Sequence, residues 1–227
     1  MKKEIFINES MGETRIAIQE DSQLVEVYVE KQDKHRMVGN VYKGKVENVL
    51  PGMQAAFVDI GNELNAFLPF SEIGNNEYII EDSGNKRSRN NNRRHDNIEV
   101  DLKKGQEIYV QVIKEPFAGK GPRVTTEVAL PGRLLVLVPN ENYIGISKKI
   151  WDKYERRRLK KVAQQLRESN TGVIIRTVAE GKSEELIEND FNQLMGNWNK
   201  MEKISAREKA PVIVYEDLET ASSVVRD

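Results

Sequence analysis

Val41-Tyr42-Lys43-Gly44-Lys45-Val46-Glu47-Asn48-Val49-Leu50, followed by Pro51-Gly52 and Ala55-Ala56-Phe57-Val58-Asp59-Ile60, is the stretch whose reading decides the fold. Its first ten residues alternate. Tyr42, Val46 and Leu50 fall on one face and Lys43, Lys45 and Glu47 on the other, the two-residue period of a strand with one side toward a core. Pro51-Gly52 is a turn signal, and Ala55 to Ile60 reads as the returning strand. Ala66-Phe67-Leu68-Pro69, Glu107 to Lys114 and Arg123 to Val128 supply three more. Five short strands with one long connection predict a small closed barrel of OB type.

Before the barrel, Glu4 to Ile7, Thr14 to Ile18 and Leu24 to Val29 read as three strands of an antiparallel meander, with turns at Met11-Gly12 and Glu20-Asp21-Ser22. Inside the long connection, residues 84–97 carry five Lys/Arg and no apolar side chain, a composition that cannot offset its own ordering entropy. It reads as a mobile loop, either an electrostatic RNA contact or a solvated insertion. Past the barrel, Leu134 to Val138 is an apolar run ended by Pro139-Asn140, a buried strand. Asp152 to Glu168 predicts a helix with Leu159, Val162 and Leu166 on one side. Residues 148–167 hold nine Lys/Arg against two Asp/Glu, a local charge of +7. Gly172 to Thr177 is a further strand. Ser183 is placed as the N-cap of a second helix, with Glu184, Glu185 and Glu188 at the positive end of its dipole. That helix carries Ile187, Phe191, Leu194, Trp198 and Met201 at spacings of four and three, a core-facing stripe. Pro211 to Tyr215 is a strand, and Ser222 to Asp227 begins another.

Composition narrows the chemistry. The 227 residues contain 35 Lys+Arg and 36 Asp+Glu, a net charge of −1, which argues against a uniformly basic coat but not against local basic patches. Zero cysteines exclude disulfides, Cys-ligated zinc, iron–sulfur clusters and a thiol nucleophile. With two histidines, His35 and His95, a His-rich metal site is not expected. No apolar run approaches the roughly 18 residues of a membrane span, and the N-terminus lacks a secretory h-region. The acidic residues show no spacing that demands a catalytic carboxylate pair or a metal cluster. No residue is assigned a catalytic role.

Four features are candidate binding elements. Phe57 shares a strand face with Asp59, opposite Ala56, Val58 and Ile60. A ring on that face stacks on a base if it is outward, and is ordinary core if it is inward. Lys43 and Lys45, on the polar face of the preceding strand, are placed to track phosphates. Lys120 sits in the glycine-flanked turn Gly119-Lys120-Gly121, where it can meet a phosphate. Arg176-Thr177 ends a buried strand and offers a planar guanidinium with a hydroxyl, a phosphate-binding pair or simply a charge emerging from the sheet. Gly181-Lys182-Ser183 is not a P-loop, because the glycine required five positions earlier is Arg176.

At these residues the chain resembles the N-terminal part of the RNase E/G family of bacterial endoribonucleases. The segments that carry the resemblance are Val41 to Val46, Ala55 to Gly61, Phe67-Leu68-Pro69, Gly105-Gln106-Glu107, Lys120-Gly121, Thr125-Thr126, Leu135 to Leu137 with Pro139-Asn140, Gly145-Ile146-Ser147, and Ile175-Arg176-Thr177 with Gly181-Lys182-Ser183. The resemblance implies an α+β chain. An S1-type OB β-barrel (39–127) is inserted in a partial RNase H-like subdomain (1–38 and 212–227) and followed by a mixed α/β 5′-sensor region (128–211). It implies that Phe57, Phe67 and Lys120 hold single-stranded RNA, and that Arg176 and Thr177, supported by Gly132 and Val136, grip a 5′-monophosphate. In the family the catalytic Mg²⁺ and the inter-subunit Zn²⁺ belong to later domains, so none is assigned to this segment. The implied protein is a cytoplasmic, homo-oligomeric endoribonuclease acting on single-stranded RNA, of which this segment alone is inactive. The alternative is a non-catalytic S1-domain RNA-binding adaptor.

Overall fold

The structure, a computed structural model, describes residues 2–10, 12–31, 36–74, 102–167, 170–217 and 220–226. The expected basic loop at 84–97 lies outside the described residues. The chain forms two compact units, residues 1–37 with 217–227, and residues 38–216.

In the first unit, β1 (Lys3–Ser10), β2 (Glu13–Glu20) and β3 (Gln23–Lys31) form the expected antiparallel meander, with Ile5 opposite Ile18 and Ile7 opposite Ile16. Asp21 and Ser22 at φ 47° and 67° make the tight two-residue turn that joins β2 to β3. The expected strand at 222–227 is instead a helix, Thr220–Arg226, the third of the chain (α3). Val224-Val225 was its only strand signal, and an apolar pair is too short to fix a period. In the helix Ser223 is buried and Val225 exposed.

The second unit contains the barrel. β4 (Val41–Leu50), β5 (Ala55–Asp59), β6 (Ala66–Pro69), β7 (Glu107–Lys114) and β8 (Arg123–Thr125) pair in the order β4-β5-β6-β8-β7, and β7 returns to β4 to close the ring. All contacts are antiparallel except β6 with β8. This is the closed five-stranded OB-type barrel read from the sequence. Beyond it, β9 (Leu130–Pro131), β10 (Leu135–Pro139), β11 (Ile144–Ile146) and β12 (Thr171–Ile175) form a mixed sheet ordered β11-β12-β10-β9. Two helices pack on it, α1 (Lys153–Leu166) and α2 (Glu184–Arg207). The α2 stripe Ile187, Phe191, Leu194, Trp198 and Met201 is buried, as its spacing requires. Trp198 meets Tyr109 of β7 edge to face at 6.0 Å, so the barrel and α2 share one apolar cluster.

The last strand of this unit, β13 (Val212–Tyr215), pairs with Val41 to Lys43 of β4. The sequence reading placed it with the closing segment of the first subdomain; in the structure it extends the barrel's own sheet, and the units divide after Glu216. Lys45 pairs with Asp59 of β5 and Glu107 of β7, so those two strands lie on opposite edges of β4. β13 occupies the half-edge that β5 leaves open.

This arrangement corrects the reading of Lys43. Alternation places Lys43 on the outward face, together with Val41, but α2 covers that face here. The Lys43 ammonium is buried, 2.8 Å from Glu107 Oε2, and donates to the carbonyls of Ser205 and Glu208 at 3.0 Å each. These carbonyls belong to the last turn of α2 and its C-cap, where the helix has no internal donors and a cation is favoured. Lys43 therefore fastens the barrel to the end of α2 and is not on the surface that meets solvent. Its hydrogen bond holds the Glu107 carboxyl below the usual range, against the opposing effect of burial.

Lys43→Ala strands one carboxylate and two helix carbonyls. It is expected to destabilise the protein by about 2–3 kcal/mol, read as a lower urea midpoint, whereas Lys45→Ala is expected to leave that midpoint unchanged. A wild-type midpoint for Lys43→Ala would remove the residue from this role.

Candidate nucleic-acid interface

Phe57 and Phe67 are direct register partners on β5 and β6, with ring centroids 5.9 Å apart at 59°. Both are half-buried, whereas Ala56, Val58, Ala66 and Leu68 on the opposite face are fully buried. The pair therefore lies on the outside of the barrel, as the outward alternative required. The row continues through the register in both directions. Asn48 of β4 opposes Phe57, Arg123 of β8 opposes Phe67, and Lys114 of β7 opposes Arg123. Directly opposed residues project on the same side of a sheet. The barrel thus presents an amide, two rings, a guanidinium and an ammonium in line across five strands. Arg123 is steadied by Glu72, Nη2 to Oε1 2.8 Å. Lys45 is exposed on the same side and opposes Asp59.

Lys120 is brought to this face by a hairpin. Ala118 and Gly119 have φ 49° and 74°, and Phe117 and Lys120 exchange backbone hydrogen bonds of 3.1 and 3.0 Å around them. Gly121 lies flat on β6's approach; a Cβ there would sit 2.0 Å from the Asn65 carbonyl oxygen. The Phe67 N–H donates to the Pro122 carbonyl at 2.8 Å. The hairpin is thereby held beside Phe67, with Lys120 exposed and the Phe117 ring 82% exposed.

A second constellation forms where β12 ends. Arg176 follows β12, and its backbone N–H donates to Leu134 O at 2.9 Å. Its Nη1 donates to Gly132 O at 2.8 Å. Thr177 Oγ1 lies 2.8 Å from the Ser147 hydroxyl, just past β11. Gly132, Arg176 and Thr177 thus lie together at the end of β12. Half-buried Val136 opposes Pro131, the residue before Gly132, and Ile174, two before Arg176. Asp190 of α2, which the sequence reading missed, pins the loop from behind. Its carboxylate accepts from the N–H groups of Arg133, Leu134 and Leu135 at 3.2, 2.8 and 3.1 Å. A Cβ at Gly132 would lie 2.6 Å from that carboxylate and 2.9 Å from Leu194 Cδ1, so any larger residue there would push Asp190 off the loop. The available signal was an acid beside the apolar stripe, three residues after Ile187.

The turn after Thr177 is clipped to α1. Glu155 accepts from the Gly181 N–H at 2.9 Å and receives a two-pronged bond from Arg158, Nε to Oε2 2.8 Å and Nη2 to Oε1 2.7 Å; Arg158 also donates to Lys182 O at 2.9 Å. The Arg158 guanidinium pulls the Glu155 carboxyl down to about 2. Ser183 is the N-cap of α2 by position, but its side chain makes no capping bond. The Gly181-Lys182-Ser183 turn is held by Glu155 and Arg158 instead.

Residues 35–125 match the sequence model of the S1 RNA binding domain, and residues 129–227 that of the Ribonuclease E/G family. Along its length the chain is thus similar to the ribonuclease E/G family, with the S1 match followed by the ribonuclease E/G match. Ribonuclease G of Salmonella typhimurium is 38% identical over 227 residues, all of this chain and 45% of the relative; Ribonuclease G of Escherichia coli K12 matches to the same extent. Ribonuclease E of Nostoc is 34% identical over 221 residues, 30% of its length. The chain thus spans about half the length of the ribonuclease G relatives. The S1 match coincides with the closed barrel, and the ribonuclease E/G match with the mixed sheet and everything after it. Among the described residues no group of three or more His, Asp or Glu side chains gathers to hold a metal, and no helix is long and apolar enough to cross a membrane.

The clip gives a pH signature. An unfolded glutamate titrates near 4.3, so the clip's contribution is complete above that pH and is lost as pH falls toward about 2. Glu155→Gln should lower Tm at pH 7, and its deficit against the native chain should shrink steadily between pH 4.5 and pH 2. A deficit that is constant across that window would show that the carboxylate charge plays no part.

Proposed function

We propose that this chain is the RNA-holding part of a ribonuclease E/G-type endoribonuclease, binding single-stranded RNA on the barrel row and its 5′-monophosphate at Gly132, Arg176 and Thr177. The observation that carries the reading is the register-paired line from Asn48 through Phe57 and Phe67 to Arg123 and Lys114. Rings offer faces to bases of any identity, and the flanking cations meet the backbone phosphates. Such a row selects for unpaired strands, because a duplex hides its base faces. Lys45 and Lys120 extend the cationic margin; Lys43 does not.

At the second constellation, the bond from Arg176 Nη1 to Gly132 O orients the planar fork, and the Thr177–Ser147 hydroxyl pair stands next to it. A terminal phosphate monoester carries more charge than an internal diester and accepts several charge-assisted hydrogen bonds. A fixed guanidinium beside hydroxyl donors therefore discriminates a 5′-monophosphate from a 5′-hydroxyl. Arg133, Leu134 and Leu135 have their N–H groups committed to Asp190, and Gly132 donates to Leu135 O and accepts from Arg176. This leaves recognition to the side chains of Arg176 and Thr177, with Gly132 in a supporting role that orients the guanidinium.

The described residues do not fit a catalytic Mg²⁺ or a zinc link, so no hydrolytic step is routed through them. Hydrolysis, the metals and homo-oligomeric assembly are assigned to the remaining length of the family, on the resemblance alone, with action in the cytoplasm. The isolated chain should accordingly leave a 5′-monophosphorylated oligonucleotide intact with Mg²⁺ present; single-turnover cleavage abolished by EDTA would overturn this.

Two substitutions separate the sites. Arg176→Ala should weaken binding of 5′-monophosphorylated RNA about tenfold, the scale of one charge-assisted bond, and leave 5′-hydroxyl RNA nearly unchanged. Phe57→Ala should weaken both about equally, by about tenfold for one lost stacking contact. Equal losses for Arg176→Ala on the two RNAs, or none for a folded Phe57→Ala, would overturn the respective assignment in direct-binding titrations.

A further inference from the structure

Two rings on α1 and its approach have no role in either site. Trp151 is 86% exposed and Tyr154 is 80% exposed. The chain's other tryptophan, Trp198, is 6% exposed. A solvated basic helix accounts for exposed lysines but gives no reason for two large rings to stand in water. They are also held firmly. Asp152 caps α1 by accepting from the Tyr154 N–H at 2.9 Å. Ile150 is buried, and Arg156 Nη1 donates to the carbonyls of Ser147 and Ile150 at 2.7 and 3.1 Å. The turn between the rings is therefore anchored on both sides.

The charges around them are one-sided. Lys148, Lys149, Lys153, Arg157, Lys160 and Lys161 are all exposed. The two acids of this stretch are both used internally, Asp152 as the cap and Glu155 in the clip to Arg158 and Gly181. The anchored segment begins at Ser147, the residue whose hydroxyl meets Thr177. Trp151 is thus four residues along the chain from the phosphate constellation.

We propose that Trp151 and Tyr154, with the cations around them, form a second single-strand platform that stacks bases of the RNA whose 5′ end occupies the Arg176–Thr177 site. The proposal rests on the reading of that site as a 5′-phosphate pocket. Exposed rings amid uncompensated cations are complementary to unpaired bases on a polyanionic backbone. An anionic membrane surface is the less fitting occupant. The apolar side chains of α1, Leu159, Val162 and Ala163, are buried in the protein's own core, which leaves two rings and no apolar stripe to insert.

The test uses the full chain and a 5′-monophosphorylated single-stranded decamer, with its 5′-hydroxyl twin. Since Trp198 is buried, the quenchable tryptophan emission comes from Trp151. RNA should quench that emission, and Trp151→Ala with Tyr154→Ala should weaken binding of the monophosphorylated decamer at least tenfold. Trp151→Phe with Tyr154→Phe keeps both ring faces and should bind within about threefold of the native chain. No quenching together with unchanged affinity in a folded double-alanine variant would overturn the platform. So would loss of sedimentation with phosphatidylglycerol vesicles in that variant while RNA affinity is unchanged, which would assign the rings to a membrane. Arg176→Ala separates the two readings. If it abolishes the monophosphate preference while native Trp151 is not quenched, the platform alone fails. If the preference survives it while quenching persists, the pocket reading fails and the stacking platform remains.

Discussion

The double use of β4 is the constraint on which the second unit depends. Its residues Lys45 to Leu50 pair with β5, Val41 to Lys45 pair with β7, and Val41 to Lys43 pair again with β13 on the edge β5 vacates. One strand therefore closes the barrel and joins it to the end of the chain's second unit. With both edges taken, its first four residues are buried, including a lysine. A buried ammonium is tolerable only with its charge and donors met. Glu107 and the unsatisfied carbonyls at the end of α2 meet them. The same contact that satisfies Lys43 fixes where α2 ends relative to the barrel.

From that fixed helix the second constellation follows. The apolar stripe of α2 seats it against the mixed sheet, and Asp190, beside that stripe, reaches the three N–H groups of the β9–β10 loop. Arg176 grips the same loop from the other side through Gly132 O. The loop is thus held between a helix carboxylate and a strand-end guanidinium. The guanidinium is oriented by the fold itself, so the cost of ordering this long side chain is met on folding.

Much of this was legible in the sequence where the signal is local. Period-two alternation found the barrel strands and the meander, and the four-three spacing from Ile187 to Met201 found the α2 stripe. Asp152 and Ser183 both mark helix starts. What alternation cannot supply is the identity of the neighbour. Lys43 and Lys45 share a face and a residue type; one lies under α2 and the other in solvent, and only tertiary structure separates them. Arg123 and Lys114 join the ring row through a parallel pairing of β6 with β8, whose residues are more than fifty positions apart, so no local pattern announces them. The 222–227 stretch was misread for the opposite reason, since its apolar run was too short for any period to show.

The near-zero net charge resolves into two populations of cations with different work. Lys43, Arg156 and Arg158 have their donors committed to carbonyls and carboxylates of the fold. Lys45 and Lys120, and the lysines of residues 148–161, are exposed. The first group neutralises charge the fold itself has buried or half-buried, and contributes little field outside. The second group is spread over the barrel face and the approach to α1. Along α1 the only two acids are themselves committed to internal bonds. A surface potential is set by the charges that remain solvated and unmatched. A chain of net charge −1 can therefore present positive surfaces to a polyanion, with acidic residues elsewhere supplying the balance.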